Sequence, residues 1–198
     1  MKTTIFNTPV LSTVFHYIAR SMMRLAGWHI EGTLPDLPKY VLIGAPHTSN
    51  RDFVLFLGVI FTLRVDVRFM GKIELFRPPY GWFFYYCGGV PVDRKKSTGL
   101  VEQMVEACNK AEKFILVIAP EGTRHHVSDW KKGFHHIAHG AGIPIVMVQV
   151  DGRYKTVHFL KDAFHPTDDI EADMKAIKGN FEGVVGINPR RKYITLES

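Results

Sequence analysis

The sequence predicts a single α/β layered domain, with a mixed and largely parallel sheet flanked by helices and an N-terminal amphipathic helix in front of it. Two observations carry that expectation. Short, wholly apolar runs (Tyr40 to Gly44, Phe114 to Ala119, Ile145 to Val150) read as strands buried on both faces, the signature of a parallel sheet. Segments with helical spacing alternate with them along the chain. At 198 residues, 46% of them apolar, the chain is long enough to bury a sizeable core.

Each element has its own local reason. In residues 9–28 the apolar positions Val10, Leu11, Val14, Phe15, Ile18, Met22 and Leu25 recur at helical spacing, with His16, Arg20 and Arg24 between them and Trp28 at the end. Two readings fit that periodicity: a helix packed on the core, or a helix lying among lipid headgroups with its apolar face down. Asp52 to Leu63 reads as a helix. Its apolar run from Phe53 is too short for the ~18 residues of a membrane span, so it is expected to be a buried core helix. Val67 to Met70 reads as a strand. Ser97 to Ala111 reads as a helix capped by Ser97 or Thr98, with Glu102 and Glu106 early in it. Trp130 to Gly140 is a further helix, and a last one is capped by Thr167 and runs to Lys178. Val157 to Leu160 and Tyr193 to Leu196 are weaker strands. The expected division is residues 1–28 as an N-terminal amphipathic helix, the candidate membrane-docking segment, and 29–198 as the layered domain.

Charge and cysteines narrow the function classes. There are 25 Lys and Arg against 19 Asp and Glu, a net of +6, which favours anionic partners. No helix-turn-helix, zinc-finger or RNA-recognition signature is present, so nucleic acid is not expected among them. Cys87 and Cys108 form no CxxC pair and read as two buried thiols in a reducing compartment. Pro9, His16 and Arg20 interrupt the N-terminal apolar positions, so no signal peptide is expected.

The chemistry concentrates in two loops that follow strands. The first is Pro46-His47-Thr48-Ser49-Asn50-Arg51-Asp52. In a continuous helix the step from His47 to Asp52 would be about 500°, which puts them on different faces. A loop-to-helix break between them lets the carboxylate meet the imidazole, fix its tautomer and leave the other ring nitrogen free to accept a proton. The bland alternative is a surface histidine beside a capping aspartate. The second loop is Ala119-Pro120-Glu121-Gly122-Thr123-Arg124. Gly122 permits a tight turn, Thr123 offers a hydroxyl and Arg124 a planar fork of donors suited to phosphate. Between the loops, Lys72 and Arg94 are further candidate anion contacts, in a stretch punctuated by Gly71, Pro79, Gly81 and Gly89. No G-x-S-x-G elbow is present.

His135 and His139, four residues apart on a predicted helix, have a spacing that can hold a metal, and His125, His126 and His136 lie nearby. A metal-dependent hydrolase is therefore an alternative class, although neither HExxH nor CxxC accompanies the pair. A lipid-binding module that kept the fold and lost catalysis is another.

Taken in order, the HTSNRD block, the GKIELF segment through Arg94, the PEGTR block and the Gly142-Ile143-Pro144-Ile145 turn resemble the four motifs of the glycerolipid acyltransferase superfamily, over roughly residues 28–150. Its best-known members are the 1-acylglycerol-3-phosphate acyltransferases. Two positions depart from the family's usual pattern: Pro46, where Asn is frequent, and His125, where Ser is frequent. The resemblance implies transfer of a fatty acyl group from an acyl-CoA or acyl-carrier-protein thioester to a hydroxyl of a lysophospholipid, lysophosphatidic acid by default. It implies His47 as general base and Asp52 as its partner. Gly122, Thr123 and Arg124 would hold the acceptor phosphate, Glu121 would shape that loop, and Lys72 and Arg94 would assist. It implies no metal and no cofactor beyond the thioester donor, and it places the enzyme on the cytoplasmic face of a membrane, as a peripheral or monotopic protein.

Overall fold

The computed structural model describes residues 3–93, 99–123 and 129–188. Among these residues seven strands form one sheet: β1 (His29–Glu31), β2 (Lys39–Ala45), β3 (Val67–Lys72), β4 (Gly89–Val92), β5 (Phe114–Ile118), β6 (Ile145–Asp151) and β7 (Thr156–Phe159). Their order across the sheet is β1-β7-β6-β2-β5-β3-β4. β6, β2, β5, β3 and β4 run parallel, while β7 is antiparallel to β6 and carries β1 parallel to itself. The sheet is thus mixed and largely parallel. The helices are α1 (Pro9–Ala26), α2 (Arg51–Leu63), α3 (Gly81–Tyr86), α4 (Leu100–Lys110), α5 (Gly133–Ala141) and α6 (Ile170–Gly179), with a short 3-10 turn at Ile73–Phe76.

Alternation along the central strands feeds two cores. Val41, Ile43, Leu116, Ile145 and Met147 point to one face, where α4, α5 and α6 cover them with Met104, Phe134, Ile137 and Ile177. Tyr40, Leu42, Val146 and Val148 point to the other, under Leu55 and Val59 of α2 and Met23 of α1. Both faces being covered explains why these strands read as unbroken apolar runs.

α1 packs on the core by one face and leaves the other face exposed. Ala19 and Met23 are buried against α2, whose Gly58 has no room for a side chain beside Met23 Sδ. Its other face exposes Val10, Val14, Tyr17, Ile18 and Leu25, the last 89% exposed. The helix ends at Ala26 because Gly27 turns left-handed (φ 72°) and its N–H and that of Trp28 close on Arg24 O and Met23 O. No helix among the described residues is long and apolar enough to cross a membrane.

Several expectations are corrected. α2 is not wholly buried, because Phe53 and Val54 near its start are more than half exposed. α4 starts at Leu100 with Gly99 as its cap residue; Ser97, Thr98 and the strand expected at 193–196 lie outside the described residues. α5 starts at Gly133, and Trp130 packs in the core ahead of it, edge-on to Phe134 and Phe181. The cap of α6 is Asp169, whose Oδ1 accepts from Ala172 N at 3.0 Å. Thr167 is occupied otherwise, since its N–H and hydroxyl both donate to Asp173. Cys108 is buried but Cys87 only half so, and burial raises both thiols above their ordinary range.

The α5–α6 junction is closed by a buried pair, His135 Nε2 to Asp173 Oδ2 at 2.7 Å. Burial opposes the Asp173 charge, but the hydrogen bonds from His135 and Thr167 outweigh it and hold the carboxyl below its usual range. A carboxyl depressed in the folded state contributes stability above its unfolded pKa of about 4, and loses it as the pH falls through the folded value. Asp173→Asn is therefore expected to lower the thermal midpoint most at pH 6–7. The gap to the parent protein should narrow below about pH 4, measured as paired melting curves across pH.

Candidate active site

Because β2, β5, β3 and β4 are parallel, the loops that leave their carboxyl ends lie along one edge of the sheet, the usual ligand edge of such folds. β2 ends at Ala45, the Ala45–Pro46 peptide is cis, and α2 begins six residues later at Arg51. In that short loop the N–H groups of Thr48 and Ser49 both donate to Asp52 Oδ2 at 2.7 Å. His47 Nδ1 stands 3.0 Å from the same oxygen. The break between loop and helix that this meeting requires is therefore present. Asp52 sits in the first turn of α2, where the positive end of the helix favours its charge, and only 8% of it is exposed. With Nδ1 turned to the carboxylate, Nδ1 carries the proton and Nε2 is left as the acceptor.

The pair stands at the mouth of a cavity of about 300 Å³ between α2 and the sheet. Leu55, Phe56, Val59 and Ile60 of α2 form one wall, and Leu42, Val117, Val148 and Phe159 of the sheet form the other. Gly44 lines it as well, and a Cβ built there would meet nothing within 4 Å, so the missing side chain leaves open space rather than serving a turn. The lining is almost entirely apolar, which suits a hydrocarbon chain.

Glu121 does more than shape its own loop. It is buried, and its Oε2 accepts from His47 N at 2.7 Å, tying the loop after β5 to the loop after β2. Burial pushes its carboxyl up to about 7; the His47 amide and the nearby His47 ring pull the other way, and the Asp52 charge adds to the rise. Gly122 follows with φ 65°, a left-handed turn that favours glycine. The aliphatic stem of Lys131 lies across it: a Cβ on Gly122 would sit 2.9 Å from Lys131 Cδ and Cε. Lys131 is held there by its N–H, which donates to Pro120 O at 2.9 Å. Nothing in the sequence singled out Lys131 beyond its place after Trp130.

His47, Asp52, Glu121 and Gly122 are thus brought together, and Thr123 follows on the same turn. Lys72 is exposed at the carboxyl end of β3, one strand beyond β5 and two from β2. Arg94 and Arg124 lie outside the described residues, as do His125 and His126. In α5 the Nε2 atoms of His135 and His139 both face carboxylates, Asp173 and Asp168, with the two rings stacked 6.1 Å apart. No group of three or more possible metal ligands occurs among the described residues.

Comparison with known proteins bears on this arrangement. A family model described as acyltransferase matches residues 28–151. The 1-acyl-sn-glycerol-3-phosphate acyltransferase of Streptococcus pneumoniae is 28% identical over 149 residues, covering 70% of this chain and 55% of that protein. The protein of the same description from Saccharomyces cerevisiae is 33% identical over 149 residues, covering 71% of this chain and 48% of that protein. The chain therefore spans about half the length of these curated relatives. The crystal structure of the 1-acyl-sn-glycerophosphate acyltransferase PlsC from Thermotoga maritima shares the fold, with a TM-score of 0.57 at 16% identity over 86% of this chain and 78% of that one. The two chemical loops, the strands that carry them and the cavity mouth all fall inside the matched residues, and the chain belongs to the acyltransferase family.

Proposed function

We propose that this protein transfers a fatty acyl group from an acyl-CoA or acyl-carrier-protein thioester to a free hydroxyl of a lysophospholipid, lysophosphatidic acid by default. The observation that carries the reading is the His47–Asp52 pair, 3.0 Å apart at the mouth of an apolar cavity. The acyl chain lies in the cavity with its thioester carbonyl beside His47. The acceptor hydroxyl attacks the carbonyl carbon as His47 Nε2 takes its proton, and the Asp52 carboxylate stabilises the imidazolium. A C–O bond forms, the C–S bond breaks, and the leaving thiolate recovers the proton from His47 as a free thiol. No covalent enzyme intermediate is needed. Gly122, Thr123 and Arg124, with Lys72, Arg94 and the newly placed Lys131, supply the donors and positive charge for the acceptor phosphate.

We further infer that the protein works on a membrane surface. The exposed apolar face of α1 contains no acidic residue and carries Arg20 and Arg24. Close to its start is a second exposed group, Ile73, Leu75, Tyr80, Trp82 and Phe83, joined to it where Tyr86 Oη donates to Thr8 Oγ1 at 2.9 Å. Tryptophan and tyrosine beside aliphatic side chains and arginines suit the headgroup zone of an anionic bilayer.

Four outcomes are expected. His47→Ala should lower acceptor-dependent thiol release by at least ~10²-fold, and Asp52→Asn should be severely impaired because tautomer control is lost. Thiol release near the parent rate in folded His47→Ala would sink the mechanism. Gly44→Leu should fill the cavity and reduce kcat/KM for a long-chain thioester by at least about tenfold relative to a short-chain one; an unchanged ratio would remove the acyl chain from this cavity. The double substitution Ile18→Asp with Trp82→Ala should weaken co-sedimentation with phosphatidylglycerol vesicles by at least about tenfold, and unchanged sedimentation would count against the docking face.

A further inference from the structure

We infer that Thr48 is a positioning residue for the His47–Asp52 pair, and that residues 183–188 form a strap that holds it in place. The inference rests on the transferase reading for its kinetic consequence only.

Thr48 is buried, and two bonds fix it from opposite sides. Its N–H donates to Asp52 Oδ2 at 2.7 Å. Its Oγ1 accepts from Asn188 N at 3.1 Å, across 140 positions of sequence. Gly186 lies against the same side chain so closely that a Cβ there would fall 2.5 Å from both Thr48 Cγ2 and Oγ1. The strap is backed on its far side by the turn between β6 and β7. Gly152 N donates to Val185 O at 2.7 Å, and a Cβ on Gly152 would lie 2.7 Å from Gly186 O. Arg153 Nη2 holds Gly183 O at 2.7 Å, and the Gln149 amide holds Asn180 O. The backbone of 183–188 is therefore wedged between two tight contacts that only glycine permits at Gly152 and Gly186.

The consequence reaches the imidazole through Asp52. All of the carboxylate's contacts fall on Oδ2, while Oδ1 is buried without a hydrogen-bond partner among the described residues. The Thr48 and Ser49 amides therefore set how the carboxylate is turned, and a charge-assisted bond of this kind is sensitive to donor placement. Displacing Thr48 turns Asp52 away from His47 Nδ1. Gly186 and Asn188 lie beyond the residues matched by the family model, so this support belongs to the part of the chain outside it.

The test uses the full chain with Thr48→Val, Thr48→Ser and Gly186→Ala, each checked for folding by its melting curve. Two readouts are taken: kcat and KM with an acyl-CoA and lysophosphatidic acid, and the fraction of His47 protonated on Nδ1 from imidazole ¹⁵N shifts. Thr48→Val and Gly186→Ala are expected to lower kcat by about tenfold or more with KM within about twofold, and to reduce the Nδ1–H fraction. Thr48→Ser, which keeps the acceptor oxygen, should recover most of both losses. Folded Thr48→Val with the parent kcat and the parent ¹⁵N pattern would overturn the inference, as would loss in Thr48→Ser equal to that in Thr48→Val. If Gly186→Ala does not fold, the two Thr48 variants decide. If the parent protein shows no turnover, the transferase reading fails, and the ¹⁵N pattern alone still supports or overturns the strap.

Discussion

One carboxylate oxygen organises the candidate site. Asp52 Oδ2 accepts two backbone N–H groups and faces His47 Nδ1, so a loop of only five residues between β2 and α2 is closed around a single charge. That charge sits in the first turn of a helix, where the free N–H groups stabilise it, and is screened from water by burial. The histidine's tautomer, the loop's shape and the start of α2 are consequences of one interaction, and none can change without the others.

The parallel strands determine what that loop can meet. β5 lies beside β2, so the loop after it comes within a hydrogen bond of His47, through Glu121. α2, which starts at the site, runs back across the sheet and roofs the cavity, while Phe53 at the cavity and Val54 beside it stay more than half exposed. A single helix thus carries the carboxylate that faces His47, a wall of the cavity and part of the exposed apolar surface. The close seat of α1 at Gly58 adds the N-terminal helix to that unit.

Much of this was legible in the sequence for reasons that are local. Strands buried on both faces announce themselves as unbroken apolar runs, which is why β2, β5 and β6 were readable. The His47–Asp52 meeting was readable because the two residues lie in one short loop and the first helical turn after it. The unread parts depend on partners far away. β1 and β4 are three and four residues long and exist because β7 and β3 pair with them. Glu121 reaches a residue 74 positions away, and Thr48 one 140 positions away. Thr167 and Asp169 both stand before α6, and pattern alone favoured Thr167 because both residue types cap helices. The exposure of Phe53 and Val54 is not legible, because an apolar run does not say which of its side chains lack a neighbour.

The two margins of the sheet differ from its centre in a way that bears on solubility. Among the described residues the seven-stranded sheet ends at β1 and at β4, and each end offers a row of peptide groups to which another chain could add a strand. On one side that row is only three residues long, at β1. On the other it is four residues long and contains Pro91, which has no N–H to offer. Strand addition between copies is thereby discouraged at both margins, and the large apolar side chains that the described residues leave exposed are carried by helices and turns, which provide no template for β-aggregation.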